Sequence, residues 1–159
     1  MMTTEKLAEE LLSLWRILRG LSHPVRHAEI TPEQYWLLRL LSRAGPLSIG
    51  EVASQLGIAM SSATSACKRL EKAGLLTRAR QAEDERVVQV ALTEQGRARI
   101  EAWKQRKREA LTKLLSVLDQ YEQEELQRML ERVLEAAGAH EVHSEFEQER
   151  QVITHDSHN

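Results

Sequence analysis

Residues 48–74, SIGEVASQLGIAMSSATSACKRLEKAG, carry the pattern that specifies the architecture of this chain. Ser48 and Glu51 have the spacing of a capping box, which begins a short helix, and Gly57 can adopt the left-handed conformation that ends it. A second helix is predicted over residues 60–73, where small apolar residues recur on one narrow face and Gly74 ends the pattern. Two short helices joined by a tight glycine turn predict a helix-turn-helix unit whose second helix reads a partner.

A hairpin is predicted directly after this unit. The β-leaning runs 75–80 and 86–92 flank residues 81–85, which are polar or charged except for Ala82. A two-stranded hairpin is marginal on its own in water, so it must pack beside the helices as a wing. We expect residues 78–90 of this wing to contact the same partner as the helix 60–73.

The flanking sequence predicts long helices with apolar faces that lack a partner. A first helix ends near Gly20, and a second begins at Thr31, the start of a capping box, and runs to about Ala44. Thr93 can cap a long helix to about Leu118, and Asp119 can cap a further one. The fold class is therefore mainly α with a small β-hairpin wing (α+β), and the terminal helices are expected to pair in a homodimer.

Four parts are predicted along the chain. Residues 1–30 form an N-terminal dimerisation helix, and residues 31–92 form a winged helix-turn-helix domain. Residues 93–138 contain the long helix and a C-terminal dimerisation helix. Residues 139–159 form a polar acidic tail, which we interpret as a frayed helix or a disordered segment.

Composition and charge exclude several classes of protein. The 159 residues contain one cysteine, and no apolar run is long enough to cross a bilayer, so we expect a cytoplasmic protein without disulfides or membrane contact. The net charge of -2 hides an asymmetry: Lys and Arg outnumber Asp and Glu by 12 to 10 in residues 1–92 and by 7 to 3 in 93–118, whereas 119–159 hold 3 against 11. The acidic residues of 119–159 thus outweigh the positive net charge of residues 1–118 in the total. A positively charged main part is what double-stranded DNA requires of a partner.

A DNA surface needs cations for phosphates and short polar side chains where a helix approaches the backbone closely. Residues 61–69 supply both at the start of the second helix, and Arg86 at the wing tip is placed for the narrow minor groove, with Asp84 able to fix its orientation. Arg78 and Arg80 are expected to meet phosphates or Asp84. The candidate DNA-binding residues are Ser61, Ser62, Thr64, Ser65, Lys68, Arg69, Arg78, Arg80, Asp84 and Arg86.

Each of these features has a purely structural alternative. The serines can simply cap a helix, and Asp84 with Arg86 can be an ordinary exposed ion pair. The cationic run 97–108 is more typical of a solvated helix face than of a DNA contact. Cys67 lies on the apolar face between Ala63 and Leu70 and is predicted to be a buried, unreactive thiol.

Five motifs connect this pattern to a known family: GPLSIGEVASQLG (45–57), SSATS (61–65), RLEKAGL (69–75) followed by Arg78, DER (84–86) and VALTEQG (90–96). Together they resemble the MarR family of bacterial transcription regulators over residues 31–99. The resemblance implies a winged-helix dimer whose recognition helices enter successive major grooves of a pseudo-palindromic operator. It also implies repression that is relieved by a small anionic or phenolic effector or by an oxidant.

The chain departs from the family pattern at two positions, and the departures bear on DNA readout. Ser65 stands where the family often carries Arg, and Ala59 stands where it often carries a capping Ser or Thr. Oxidant-sensing relatives place a reactive cysteine in the first helix, and the first helix of this chain contains no cysteine. The resemblance places an effector pocket near Trp15, His23, His27 and Tyr35, although aromatic residues at helical spacing are more often core.

Two other functions compete with DNA binding. A winged helix can serve as a protein-interaction module, against which the exposed Ser and Arg surface argues. An enzyme is not expected, because the sequence shows no nucleophile paired with a base, no phosphate-binding glycine loop and no clustered carboxylates. The spacing of His23 with His27, and of the histidine pairs in the tail, gives only weak support for a metal, so neither a metal site nor a cofactor is expected.

Overall fold

The computed structural model describes residues 3–138. Its elements are, in chain order, α1 (Thr4–Ser22), α2 (Pro32–Ala44), β1 (Leu47–Ser48), α3 (Ile49–Leu56), α4 (Met60–Lys72), β2 (Leu76–Arg80), β3 (Val88–Leu92), α5 (Glu94–Leu115) and α6 (Gln120–Ala136). This is the mainly α fold with a small β wing that the sequence predicts. The chain divides into two compact units, Met1–Ala110 and Leu111–Asn159.

The predicted capping residues begin the helices as expected. The Thr31 hydroxyl accepts a hydrogen bond from the Gln34 N–H, and the Gln34 side chain accepts one from the Thr31 N–H. Ser48 and Glu51 exchange the same pair of bonds at the start of α3. Gly57 ends α3 in the left-handed conformation, with φ of 63°. Local hydrogen bonds therefore satisfy the backbone groups at these helix ends.

A three-stranded antiparallel sheet, ordered β1-β3-β2, contains the wing. The two-residue strand β1 pairs with β3, placing Leu47 opposite Val90 and Ser48 opposite Gln89. The sequence predicts the hairpin but not β1, because the two residues of β1 are too few to show an alternating pattern and their partners on β3 lie about 40 positions away. Ser48 therefore ends β1 and also caps α3, so the sheet joins directly onto the helix-turn-helix unit.

The core of the first unit holds α4 in place. Leu37 and Leu38 of α2, Val52 of α3 and Val90 of β3 are all completely buried. The buried face of α4 packs against α2, α3 and β2 and consists of Ala63, Ala66, Cys67 and Leu70. Because these side chains are small, α4 can lie close to its neighbours while its opposite face stays in solvent.

A close contact fixes the start of α5 within the first unit. The Thr93 hydroxyl caps α5 by accepting from the Gly96 N–H at 3.0 Å, and it donates to the Gly74 carbonyl oxygen at 2.6 Å. A Cβ atom on Gly96 would lie only 2.1 Å from the Leu75 carbonyl oxygen. Glycine is therefore required at position 96 for this approach.

Two helix ends differ slightly from the sequence predictions. α1 continues to Ser22, past Gly20, and α5 ends at Leu115, three residues before Leu118. In the second unit Asp119 caps α6, as predicted, and it does so through a capping box with Glu122. The division into four parts stays a prediction, and the tail 139–159 lies outside the described residues. Among the described helices, none is both long and apolar enough to cross a membrane.

Candidate nucleic-acid interface

The outward face of α4 carries most of the predicted DNA-binding side chains. Of these predicted residues, the exposed ones on α4 are Ser61, Ser62, Ser65, Lys68 and Arg69. Within residues 3–138, the hydroxyls of Ser61, Ser62 and Ser65 make no hydrogen bond to other groups. Thr64 differs, because it is half-buried and its hydroxyl donates to the Met60 carbonyl oxygen at 2.9 Å. The three serines are therefore available to an external acceptor, whereas Thr64 is engaged by its own helix.

The N-terminus of α4 has no side-chain cap, because Ala59 occupies the N-cap position. The first N–H groups of a helix need acceptors, and the helix dipole favours an anion there. A DNA phosphate would supply both. Met60, which is 56% exposed, lies at the same end and has room to contact an apolar base edge. Met60 was not among the predicted site residues; its signal in the sequence is a large apolar residue at the first position of a polar helix.

The wing tip is held by hydrogen bonds that leave Arg86 open. The Asp84 carboxylate accepts from the backbone N–H of Arg86 at 3.0 Å, and the Val87 N–H donates to the Asp84 carbonyl oxygen at 3.0 Å. Asp84 was expected to orient the Arg86 side chain from the same strand face. Instead both residues lie in the turn between β2 and β3, and Asp84 fixes the backbone. The exposed Arg86 guanidinium has no ion-pair partner within the described chain.

Arg78 and Arg80 have partners that the sequence analysis did not name. Arg78 Nη2 donates to Glu71 Oε1 at 3.1 Å, which joins β2 to α4. Arg80 is exposed, and its Nη1 lies 3.4 Å from the Glu85 carbonyl oxygen. Arg80 can turn to a phosphate at little cost, whereas Arg78 would have to leave a carboxylate first.

Cys67 lies beneath this surface as a buried thiol, as predicted. Its side chain is fully buried, and burial raises the pKa of the thiol to about 11. Because the thiolate is the reactive form, burial and the raised pKa predict an unreactive Cys67 at neutral pH.

The residues predicted to form an effector pocket are only partly brought together. His23 and Tyr35 are buried, with ring centroids 4.5 Å apart, and Trp36 and Trp103 lie 5.0 and 5.6 Å from Tyr35. Trp15 instead lies under the Arg19 guanidinium, 4.8 Å away, and His27 is exposed with its Nε2 3.2 Å from the Leu21 carbonyl oxygen. The cluster thus includes Trp103, which the sequence analysis left out.

Glu29 borders this aromatic cluster and connects the turn after α1 to α5. Its carboxylate accepts from Arg106 at 2.5 Å and from Trp103 Nε1 at 3.4 Å. The hydrogen bond from Arg106 is the main reason why the pKa of Glu29 lies below its ordinary value. No local pattern links positions 29 and 106, so sequence reasoning could not have found this pair. Within residues 3–138, no three His, Cys, Asp or Glu side chains gather as metal ligands would.

The fold defines a winged helix-turn-helix protein. The MarR family model matches residues 30–88. The chain is 27% identical over 112 residues to the HTH-type transcriptional repressor MdtR of Bacillus subtilis, covering 70% of this chain and 72% of that protein. It is 39% identical over 72 residues to the HTH-type transcriptional regulator FarR of Neisseria gonorrhoeae, covering 45% of this chain and about half (49%) of that protein.

A solved structure extends the likeness beyond the matched domain. The transcriptional regulator Tm0710 from Thermotoga maritima superposes with a TM-score of 0.71 at 27% identity, covering 86% of this chain and 99% of that one. The MarR match over residues 30–88 agrees with the family that the sequence motifs indicated. That family consists of DNA-binding transcriptional regulators rather than enzymes.

Proposed function

We propose that the chain is a homodimeric repressor that acts in the cytoplasm, binds a pseudo-palindromic operator through α4 and the wing, and is released by a small aromatic or anionic effector. The observation that carries the proposal is the two-faced character of α4. One face is buried in the core, while the other presents unengaged serines, two cations and an uncapped N-terminus to solvent. Those are the groups that phosphates and base edges require.

DNA binding is tested by fluorescence anisotropy with duplexes selected from a random library. If cations neutralise phosphates, the logarithm of the binding constant falls linearly with the logarithm of salt concentration, with a slope of about -0.9 per phosphate. Arg86→Ala should weaken binding about tenfold without changing the urea midpoint. Arg108→Ala is the matched control, because Arg108 is exposed and paired with Glu101 on α5. Equal affinity of both variants and wild type would contradict the assignment of Arg86.

The dimer is supported by apolar side chains that the single chain leaves in solvent. In α1 these are Leu7, Leu11, Leu12, Leu14, Ile17 and Leu21, with exposed fractions between 36% and 61%. α6 buries none of its residues, and Met129, Leu130, Val133 and Leu134 are all at least 44% exposed. Such continuous apolar faces are typical of obligate interfaces.

Sedimentation equilibrium tests the dimer directly. Wild type should sediment at twice the 18.2 kDa chain mass. Leu11→Asp should weaken association, because it places a charge on the apolar face of α1, whereas Glu9→Lys on the polar face should leave it unchanged. A wild-type monomer at micromolar concentration would refute the dimer.

The effector site is proposed at the cluster of His23, Tyr35 and Trp103. Buried aromatic rings with polar edges are typical of sites for small aromatic anions. Benzoate serves as the probe, and binding should quench tryptophan fluorescence and weaken binding to the selected duplex. Tyr35→Leu should abolish both effects, whereas Trp15→Phe should keep them if Trp15 lies outside the site. A duplex affinity that is unchanged by benzoate and by simple phenols would contradict the effector proposal.

A further inference from the structure

Arg78 lies on the wing strand β2, yet its register turns it toward α4. In an antiparallel pair, directly opposed residues share a face of the sheet, and Arg78 is opposite Val90, which is completely buried. Leu76, two residues earlier on the same face, is 1% exposed. The side chain of Arg78 is accordingly only 25% exposed, and its Nε atom is buried without a hydrogen-bond partner within the described chain.

The partner of Arg78 on α4 is Glu71, which follows Cys67 by one helical turn. Arg78 Nη2 and Glu71 Oε1 are 3.1 Å apart. Arg78 lowers the pKa of the buried Cys67 thiol and Glu71 raises it, so both charges lie near Cys67. The ion pair therefore lies over the contact between α4 and β2. Leu70 and Leu75, both buried, flank the turn that joins α4 to β2. The pair therefore closes a short loop of chain between two rigid elements.

We infer that Arg78 and Glu71 are positioning residues that set the tilt of the wing relative to α4, rather than ligands of DNA. This inference rests on the proposed operator binding. Four extended residues at about 3.3 Å each carry the tip about 13 Å beyond Arg78. A tilt of about 10° would then move the tip by about 2 Å, enough to break a side-chain contact in a groove. A partly exposed ion pair contributes little to the free energy of unfolding. We therefore expect its loss to change the tilt of the wing more than the stability of the fold.

A phosphate ligand and a positioning residue give different results in a binding experiment. A phosphate ligand contributes about -0.9 to the salt slope on every DNA, whereas a positioning residue affects the ratio of specific to non-specific affinity. We would measure anisotropy titrations at several salt concentrations. The probes are a duplex that wild type selects from a random library and a scrambled duplex of equal composition.

Four variants test the inference. Glu71→Gln and Arg78→Gln should each lower affinity for the selected duplex about tenfold, leaving the scrambled duplex and the salt slope unchanged. The double variant should lose no more than either single one. Arg78→Lys should recover part of the loss by restoring a charge to Glu71. Arg80→Gln is the matched comparison on the same strand face, and it should make the salt slope shallower on both duplexes.

The inference is overturned if Arg78→Gln weakens both duplexes and makes the salt slope shallower while Glu71→Gln leaves binding unchanged or tighter. Urea midpoints show whether each variant is folded, and Glu71→Gln keeps the test decisive if Arg78→Gln is not. A wild-type protein that binds no duplex overturns the proposed function instead, and with it any role of the pair in DNA recognition.

Discussion

Gly96→Ala tests whether the contact between α5 and Leu75, in the turn before β2, is as tight as the structure shows. The added Cβ would lie 2.1 Å from the Leu75 carbonyl oxygen and 3.2 Å from a Leu92 methyl group. An ordinary C···O contact is about 3.3 Å or longer, so α5 must withdraw by about 1 Å from a backbone atom. That withdrawal stretches the 2.6 Å bond from Thr93 to the Gly74 carbonyl oxygen.

The expected cost follows from these contacts. Overpacking costs about 1–3 kcal/mol, and losing the Thr93 bond adds about 1 kcal/mol. The better helix propensity of alanine offsets about 1 kcal/mol. We expect a net destabilisation of about 1–3 kcal/mol, which lowers the urea midpoint by about 0.5–1.5 M at an m-value of about 2 kcal/mol/M. Unfolding should be followed by circular dichroism at one protein concentration, because dimerisation affects stability.

Gly50→Ala in α3 is the matched control for this experiment. A Cβ atom there would meet the Met60 Cε at 3.6 Å, an ordinary contact. Helix propensity then makes this substitution neutral or stabilising by up to about 1 kcal/mol. If Gly96→Ala were as stable as Gly50→Ala, the close approach of α5 to Leu75 would be refuted.

Three further predictions concern single side chains. Cys67 should resist a thiol reagent at pH 8 until urea unfolds the protein, and equal reactivity of the folded and unfolded protein would contradict this prediction. Because the folded pKa of about 11 exceeds the ordinary 9.0, the contribution of the buried thiol to stability is full below pH 9 and is lost between pH 9 and 11. Glu29→Gln should lower the urea midpoint at pH 7. The difference from wild type should shrink as the pH falls below 4.5 and through the pKa of Glu29, which Arg106 lowers; a difference that stays constant as the pH falls would show another cause. Ala59→Asp should stabilise α4 by about 1 kcal/mol yet weaken DNA binding, because the new carboxylate would take the free amides and repel phosphate; unchanged affinity would show that DNA does not approach this end.

Features set by neighbouring residues could be predicted from the sequence. The capping boxes at Thr31, Ser48 and Asp119 depend on side chains three positions apart, and the two-faced pattern of α4 depends on helical spacing. The hairpin was also predictable, because its strands alternate and its tip is charged. These signals suffice for the winged helix-turn-helix unit and for most of its exposed surface.

Features that depend on distant residues could not be predicted. β1 exists only because β3 offers it a partner, and Arg106 pairs with a glutamate 77 positions away. The Glu71–Arg78 pair is closer in sequence, but it depends on how β2 folds back onto α4. Knowing that Arg78 is cationic therefore led to phosphate or Asp84 as its expected partner, whereas the fold supplies Glu71.

The double role of Ser48 determines where this protein can accept engineered insertions. Because one residue both ends a strand and begins a helix, adding even a single amino acid between 48 and 49 would separate two functions that share the same backbone. The exposed turn at 82–85 has no such double role: the hydrogen bonds of Asp84 hold the wing tip rather than the core, so a peptide tag between Ala82 and Glu83 would leave the core undisturbed. Tolerance to added sequence should thus differ sharply between two sites in one small domain.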